Sequence, residues 1–179
     1  MKKWGSFPKL YLLTKKEHAE RTKQLALKLG KKLGLDPKKL KKLTTLSSLH
    51  DVGKVVISEK ILRKDQELTD EEWREMKKHP EYGYRVVKAM KNHSHVADEI
   101  LSHHERWDGT GYPKGLKGEE IPLLSRIISI VDSYDVMTHK RDYNEPMNKE
   151  EAIKEIKQCS GTQFDPNLTE KFIQIISEE

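Results

Sequence analysis

One cysteine, Cys159, stands alone among 179 residues. It has no partner for an internal disulfide, so a reducing cytoplasm is the expected compartment. Long apolar runs are missing too. The longest, around Ile127-Ile128 and Ile130-Val131, is far short of the roughly 20 residues of a membrane helix, so no membrane insertion is expected. Met1-Lys2-Lys3-Trp4 is basic, but no apolar stretch follows it, and no signal peptide is read. No alternating apolar/polar run argues for a strand. No repeat, low-complexity tract or interdomain linker breaks the chain. An arginine/aromatic stripe for nucleic acid is absent, so DNA is not an expected partner. What is left is one soluble domain, long enough to bury a core.

Charge, by contrast, is plentiful. Asp, Glu, Lys and Arg make up 35% of the chain, with a net charge of +5. The basic residues are spread evenly rather than clustered. We therefore read a lysine-rich solvated surface, of the kind enriched in proteins that work hot. The competing reading is a field that attracts anionic ligands.

The patterning is helical throughout, which predicts an all-α fold. Leu25, Leu29 and Leu33 follow His18 and Arg21 at helical spacing. Asp36-Pro37 reads as an N-cap and first-turn proline. The helix that follows carries Leu40, Leu43, Leu46 and Leu49 and delivers His50-Asp51. Thr69 to Glu72 is a capping box. Pro80 marks a kink or restart. Val96 to Glu105 reads as a short helix ending in His103-His104. Trp107 to Ile121 holds four glycines and one proline, so it reads as a long loop of the kind that is usually functional. Pro122 opens an apolar helix through Met137 that carries Asp132 and Asp135. Asn148 and Asp165-Pro166 start the last two helices.

The informative residues are His18, His50-Asp51, His79, His103-His104 and Asp132. Imidazole and carboxylate suit first-row metals such as iron, manganese and zinc. Each histidine alone is more often a surface or core residue than a ligand. Adjacent residues on a helix point about 100° apart, so His50 and Asp51 suit a metal pair better than one ion, with the carboxylate shared. Asp132 sits in an apolar helix, where a carboxylate is costly unless paired or metal-bound. Two cations about 3.5–4 Å apart can hold a bridging hydroxide, so convergence of these residues would make a metallohydrolase.

These residues, with Gly53-Lys54, Met76 to Pro80, Glu105 to Pro113, Val131 to Thr138 and Gly161 to Pro166, resemble the HD-GYP branch of the HD phosphohydrolase superfamily. The resemblance covers nearly the whole chain from His18 onward. It implies a single compact HD-type helical bundle over residues 15–179, after an extension at 1–14, with the glycine-rich segment as its GYP loop. It implies a phosphodiesterase converting cyclic di-GMP to pGpG, and onward to GMP in some members. A centre of two or three divalent ions is implied, iron or manganese first, with zinc and nickel as further candidates. One ion would take His18, His50, Asp51 and Asp132. The other would share Asp51 and add His79, His103 and His104. Asp51 and Lys54 would be catalytic, while Lys54, Arg141 and Tyr112 would hold substrate. Trp107 and Pro113 are expected to pack the loop.

The chain also departs from the pattern. Thr14 stands where members with a third ion place a glutamate, which favours two. The arginine is followed by Asp142-Tyr143-Asn144, not by proline and a second basic residue. Lys140 and Lys149 are candidates to replace that cation. The change leaves open the same chemistry on another nucleotide. A further alternative is a non-catalytic module that binds nucleotide, or a GGDEF-domain protein, through the GYP face.

Overall fold

The helices begin where the sequence supplies caps. A computed structural model describes residues 9–64, 66–139 and 145–178, with side chains from Lys16 onward. Helix α1 spans Lys9–Lys32, running across the boundary expected at residue 14. Helix α2 (Pro37–Leu49) opens with the Asp36 carboxylate accepting the Lys39 N–H. After it come α3 (Glu59–Leu62) and α4 (Asp70–Met76), which starts on a reciprocal Thr69/Glu72 capping box. Pro80 falls in the first turn of α5 (His79–Lys88), so it restarts the chain. Helix α6 spans Ala97–Leu101 and α7 Leu123–Thr138. Asn148 caps α8 (Lys149–Gln158) in a second capping box, and the Asp165 carboxylate caps α9 (Pro166–Ser177). Among the described residues there is no strand, only an isolated bridge between Ser160 and Phe164. The expected all-α class holds.

Helix α7 is the centre of the bundle. Ile127, Ile128, Ile130 and Val131 are fully buried, and α1, α2, α6, α8 and α9 all pack against it. Leu29, Leu43, Leu46, Ile100 and Phe172 complete the same core. Each buried aliphatic side chain contributes about 1.5–3 kcal/mol. That packing fixes the rotation of α7 and so the direction in which Asp132 and Asp135 point.

One element differs from expectation. The helix expected over Val96 to Glu105 stops at Leu101, and Ser102 to His104 form a turn. The cause is a competition for one carbonyl. A continuing helix would give the Ile100 C=O to the His104 N–H. Instead the His103 side chain takes it, Nδ1 to O at 2.6 Å.

The short 3-10 turn Val52–Val56 lies directly on the start of α5. Gly53 makes this approach possible: a Cβ there would sit 1.9 Å from the His79 carbonyl oxygen and 2.4 Å from the Gly83 nitrogen. Neither obstacle is a flexible side chain, so the backbones would have to part. Gly53→Ala is expected to cost about 3 kcal/mol, the upper end of overpacking, and to separate Asp51 from His79. A thermal melt within 2 °C of wild type would refute this close approach.

Candidate metal centre

Two groups of ligand-type atoms converge, and they share one residue. Asp51, His79, His103 and His104 form one; His18, His50 and Asp51 form the other; within each, the atoms lie within 4.8 Å of one another. Asp132 joins the second through Oδ1, 3.1 Å from His18 Nε2 and 3.7 Å from His50 Nε2. Asp51 reaches both sides: Oδ1 is 3.5 Å from His79 Nε2 and Oδ2 is 3.9 Å from His50 Nε2. All seven residues singled out in the sequence therefore meet. The helix end explains how His50 and Asp51 serve one centre. His50 is the C-cap of α2, and Asp51 has already left helical geometry at φ −94°, ψ 6°.

Backbone carbonyls orient the rings. His50 Nδ1 lies 3.0 Å from the Ser47 oxygen, His79 Nδ1 2.8 Å from Met76, and His103 Nδ1 2.6 Å from Ile100. Each Nδ1 must carry the proton it donates, which leaves Nε2 of the neutral His79 and His103 rings as a bare lone pair; burial acts downward on His50 as well, but Asp51 and Asp132 raise it above its ordinary value. Those lone pairs face one another: His79 and His103 Nε2 are 3.3 Å apart, and His104 Nε2 is 3.1 Å from His79. His50 Nε2 is buried with no hydrogen-bond partner. Two bare acceptors in contact and an orphaned third need a cation between them. The residues present thus fit a transition metal, in the ligand arrangement that outer carbonyls normally support.

Electrostatics separates the two halves. Burial, helped by neighbouring imidazoles, pushes His103 well below its ordinary value. Burial also lowers His79 to about 4 and His104 to about 3, so all three are neutral near pH 7. At His18 burial acts downward too, but hydrogen bonds and attraction from Asp132 and Asp135 outweigh it and hold the pKa at about 9. Burial would raise Asp51 and Asp132. Lys54 and His50 overcome it for Asp51, and His18 and His50 for Asp132, keeping both well below the carboxylate range.

Asp135 was not among the residues picked out for the site, yet it supports it. Its carboxylate is 1% exposed and accepts from His18 Nδ1 at 2.6 Å and Arg21 Nε at 2.5 Å, while His139 Nδ1 meets the Asp135 backbone carbonyl at 3.2 Å. The signal was present in the spacing. His18/Arg21 on α1 and Asp132/Asp135 on α7 are both i, i+3 pairs, so each pair shares a helix face.

The loop after His104 is fastened over the centre. The buried Glu105 carboxylate accepts the Lys114 and Leu116 N–H groups at 2.7 and 3.1 Å. Trp107 and Asp108 bond through their N–H groups to the Gln163 and Thr162 carbonyls, which gives the Gly161 to Pro166 motif a role. The Arg126 guanidinium lies 5.6 Å from the centre of the Trp107 ring. Tyr112 stacks on His104, with centroids 5.0 Å apart at 21°, and precedes Pro113 through a cis bond. Lys54 Nζ donates to Asp51 Oδ2 at 2.7 Å. Lys140, Arg141, Asp142, Tyr143 and Asn144 lie outside the described residues, as does the Thr14 side chain. Lys149 begins α8. No helix among the described residues is long and apolar enough to cross a membrane.

Helices alone, closed around a His/Asp cluster able to hold metal, define the class. The HD domain family model matches residues 10–168, and the chain belongs to that family. Its Gly111-Tyr112-Pro113 stretch places it in the HD-GYP branch. The chain is 37% identical over 165 residues to a cyclic di-GMP phosphodiesterase of Thermotoga maritima, covering 90% of this chain and 44% of the relative. It is 38% identical over 159 residues to a 3'3'-cGAMP-specific phosphodiesterase of Vibrio cholerae, covering 88% of this chain and 30% of the relative. Among solved structures, an HDG"Y"P protein from Bdellovibrio bacteriovorus aligns with TM-score 0.71 at 27% identity, over 89% of this chain and 51% of that one. The chain thus spans less than half the length of both curated relatives.

Two outcomes follow from the geometry. In the metal-free protein His18 has a raised pKa, so its stabilising pairing is full below pH 6.5 and fades as pH rises through 9. A metal at His18 must displace that proton, so binding at pH 7 should release at least about one proton and tighten toward pH 9. Calorimetry in buffers of different ionisation enthalpy reads this, and zero release would remove His18 from the ligands. Asp135→Asn should weaken metal affinity about 10–100-fold, the usual effect of losing an outer partner. Unaltered affinity in a metal titration would make Asp135 purely a packing residue.

Proposed function

We propose that this domain is a metal-dependent phosphodiesterase that hydrolyses cyclic di-GMP to linear pGpG, and onward to GMP where the linear product rebinds. The observation that carries the reading is the pair of ligand groups sharing Asp51. We assign His18, His50, Asp51 and Asp132 to one divalent ion and Asp51, His79, His103 and His104 to the other. Such ions, iron or manganese by choice of ligand, would supply charge stabilisation of the phosphate and acidify water.

The protein's own groups do the rest. The outward carbonyl bonds hold the imidazoles with Nε2 inward, so no reorganisation is needed when charge develops. Asp51, depressed well below its usual range, is ionised at any working pH. Lys54, beside it, places an ammonium where a phosphodiester oxygen would arrive. Tyr112 and the loop wall exclude water behind His104. In the reaction one P–O3′ bond breaks and one bond from phosphorus to water oxygen forms, which opens the ring and leaves a 5′ phosphate. Arg141 is kept as a substrate-phosphate residue on the sequence pattern alone.

The second reading is the same chemistry on a mixed cyclic dinucleotide. It draws on the similarity to a 3'3'-cGAMP-specific relative and on Asn144 standing where a basic residue is usual. The complete set of converging ligands speaks against a non-catalytic module that binds nucleotide or a GGDEF-domain protein.

Anaerobically reconstituted protein, loaded with Fe(II) or Mn(II), should turn cyclic di-GMP over to pGpG. Asp51→Ala removes the shared carboxylate and several kcal/mol of charge stabilisation, so turnover should fall on the order of a thousandfold or more. Faster cleavage of 3'3'-cGAMP would select the second reading. Metal-loaded protein with no activity on either nucleotide would overturn both.

A further inference from the structure

Trp73 is a large apolar side chain left 48% exposed in the middle of α4. Lys77, the C-cap of that helix, is exposed as well. Its ammonium lies 5.8 Å from the Trp73 ring centre and 5.6 Å from the Tyr112 ring centre. Tyr112 in turn lies nearly parallel to His104. An exposed indole, an exposed ammonium and a loop tyrosine thus form a contact chain that ends on the candidate metal centre.

A Trp/Lys pair four residues apart is a common way to stabilise a helix end. That accounts for two of the three groups. It does not account for Tyr112, which comes from a distant loop and meets the same ammonium. It also leaves the outer face of the indole in water. A flat π surface beside a fixed cation, one residue removed from the metal ligands, is the chemistry that receives a nucleobase whose phosphate sits on the metals.

We infer that Trp73 and Lys77 form a base subsite of the cyclic dinucleotide substrate proposed above, with guanine stacked on Trp73 and its O6/N7 edge turned to Lys77. Guanine offers two acceptors on that edge, whereas adenine offers one acceptor and one N–H donor. An ammonium has donors only. Lys77 therefore favours guanine, and Trp73 binds either base. Tyr112 spends one face on His104 and positions Lys77.

The test is steady-state kinetics of the Mn(II)-loaded protein on cyclic di-GMP, 3'3'-cGAMP and cyclic di-AMP, comparing wild type with Trp73→Ala, Trp73→Phe and Lys77→Met. Trp73→Ala should raise KM for cyclic di-GMP about tenfold, with kcat shifted by less than about threefold. Trp73→Phe, which keeps a ring, should recover most of the loss. Lys77→Met should shrink the preference for guanine over adenine about tenfold. Because Trp73 and Lys77 are exposed, circular dichroism and metal content should match wild type. Wild-type KM and base preference in both Trp73→Ala and Lys77→Met, beside normal wild-type turnover of cyclic di-GMP, would overturn the subsite and leave the proposed activity standing. Failure of metal-loaded wild type to cleave any of the three would overturn both together.

Discussion

Three histidine rings take backbone carbonyls away from helices, and the centre depends on that exchange. His50, His79 and His103 each bond through Nδ1 to the carbonyl three residues back. In an uninterrupted helix those carbonyls belong to the N–H groups of the next residues: Asp51, Pro80 and His104. Pro80 has no N–H to offer, so the Met76 carbonyl is free by covalent structure. At the other two positions the ring wins and the helix ends there. One event therefore does two things: it fixes the inward lone pair, and it bends the chain so that the following residue, Asp51 or His104, turns toward the same point. Gly53 then lets the Asp51 segment lie against the start of α5 without a side chain in the way.

The second half of the centre is built differently, from long helices whose rotation is set by packing. His18 bonds through Nδ1 to a carboxylate, not to a carbonyl. Asp135, buried beneath it, fills that place, and the apolar face of α7 holds Asp135 and Asp132 in register. The two halves also differ in charge. His79, His103 and His104 are buried among one another and stay neutral, while His18 lies between two carboxylates and keeps its proton. A site made of two unlike halves joined by one carboxylate can hold two ions in unlike surroundings.

Most of this could be read from residue types and spacing. Caps at Asp36, Thr69, Asn148 and Asp165 mark helix starts by local chemistry, and the structure places helices there. The seven convergent residues stand out because imidazoles and acids occur together in an otherwise apolar or lysine-rich context. What escaped was decided between neighbours in space. The end of α6 rests on a side chain outcompeting a backbone N–H, which no periodicity records. Asp135 was noticed on its helix and passed over because its partners His18 and Arg21 come from α1, far away in the chain. Trp73 gave no signal at all, since one exposed aromatic is unremarkable until Tyr112 is seen to meet the same lysine.

Charge balance ties the loop to the centre. Without metal, the two aspartates are compensated by the Lys54 ammonium and the His18 proton, so the pocket is close to neutral. The two divalent ions proposed above would bring four positive charges against two carboxylates, and the three neutral imidazoles would subtract nothing. The excess is what the anionic phosphodiester of the proposed substrate would compensate. Such a field is strong only where water is kept out. The loop closes one side of the centre: Glu105 pins it by two backbone N–H groups, the Gly161 to Pro166 turn pins it from the other side, and Tyr112 stacks on His104. Glu105 faces the loop's backbone rather than the metal site, so its negative charge is spent on N–H groups and does not weaken the attraction for substrate. The position next to two candidate ligands could have carried a third carboxylate into the centre. Its orientation would leave a metal-loaded centre cationic, which is the condition for binding the diester proposed above.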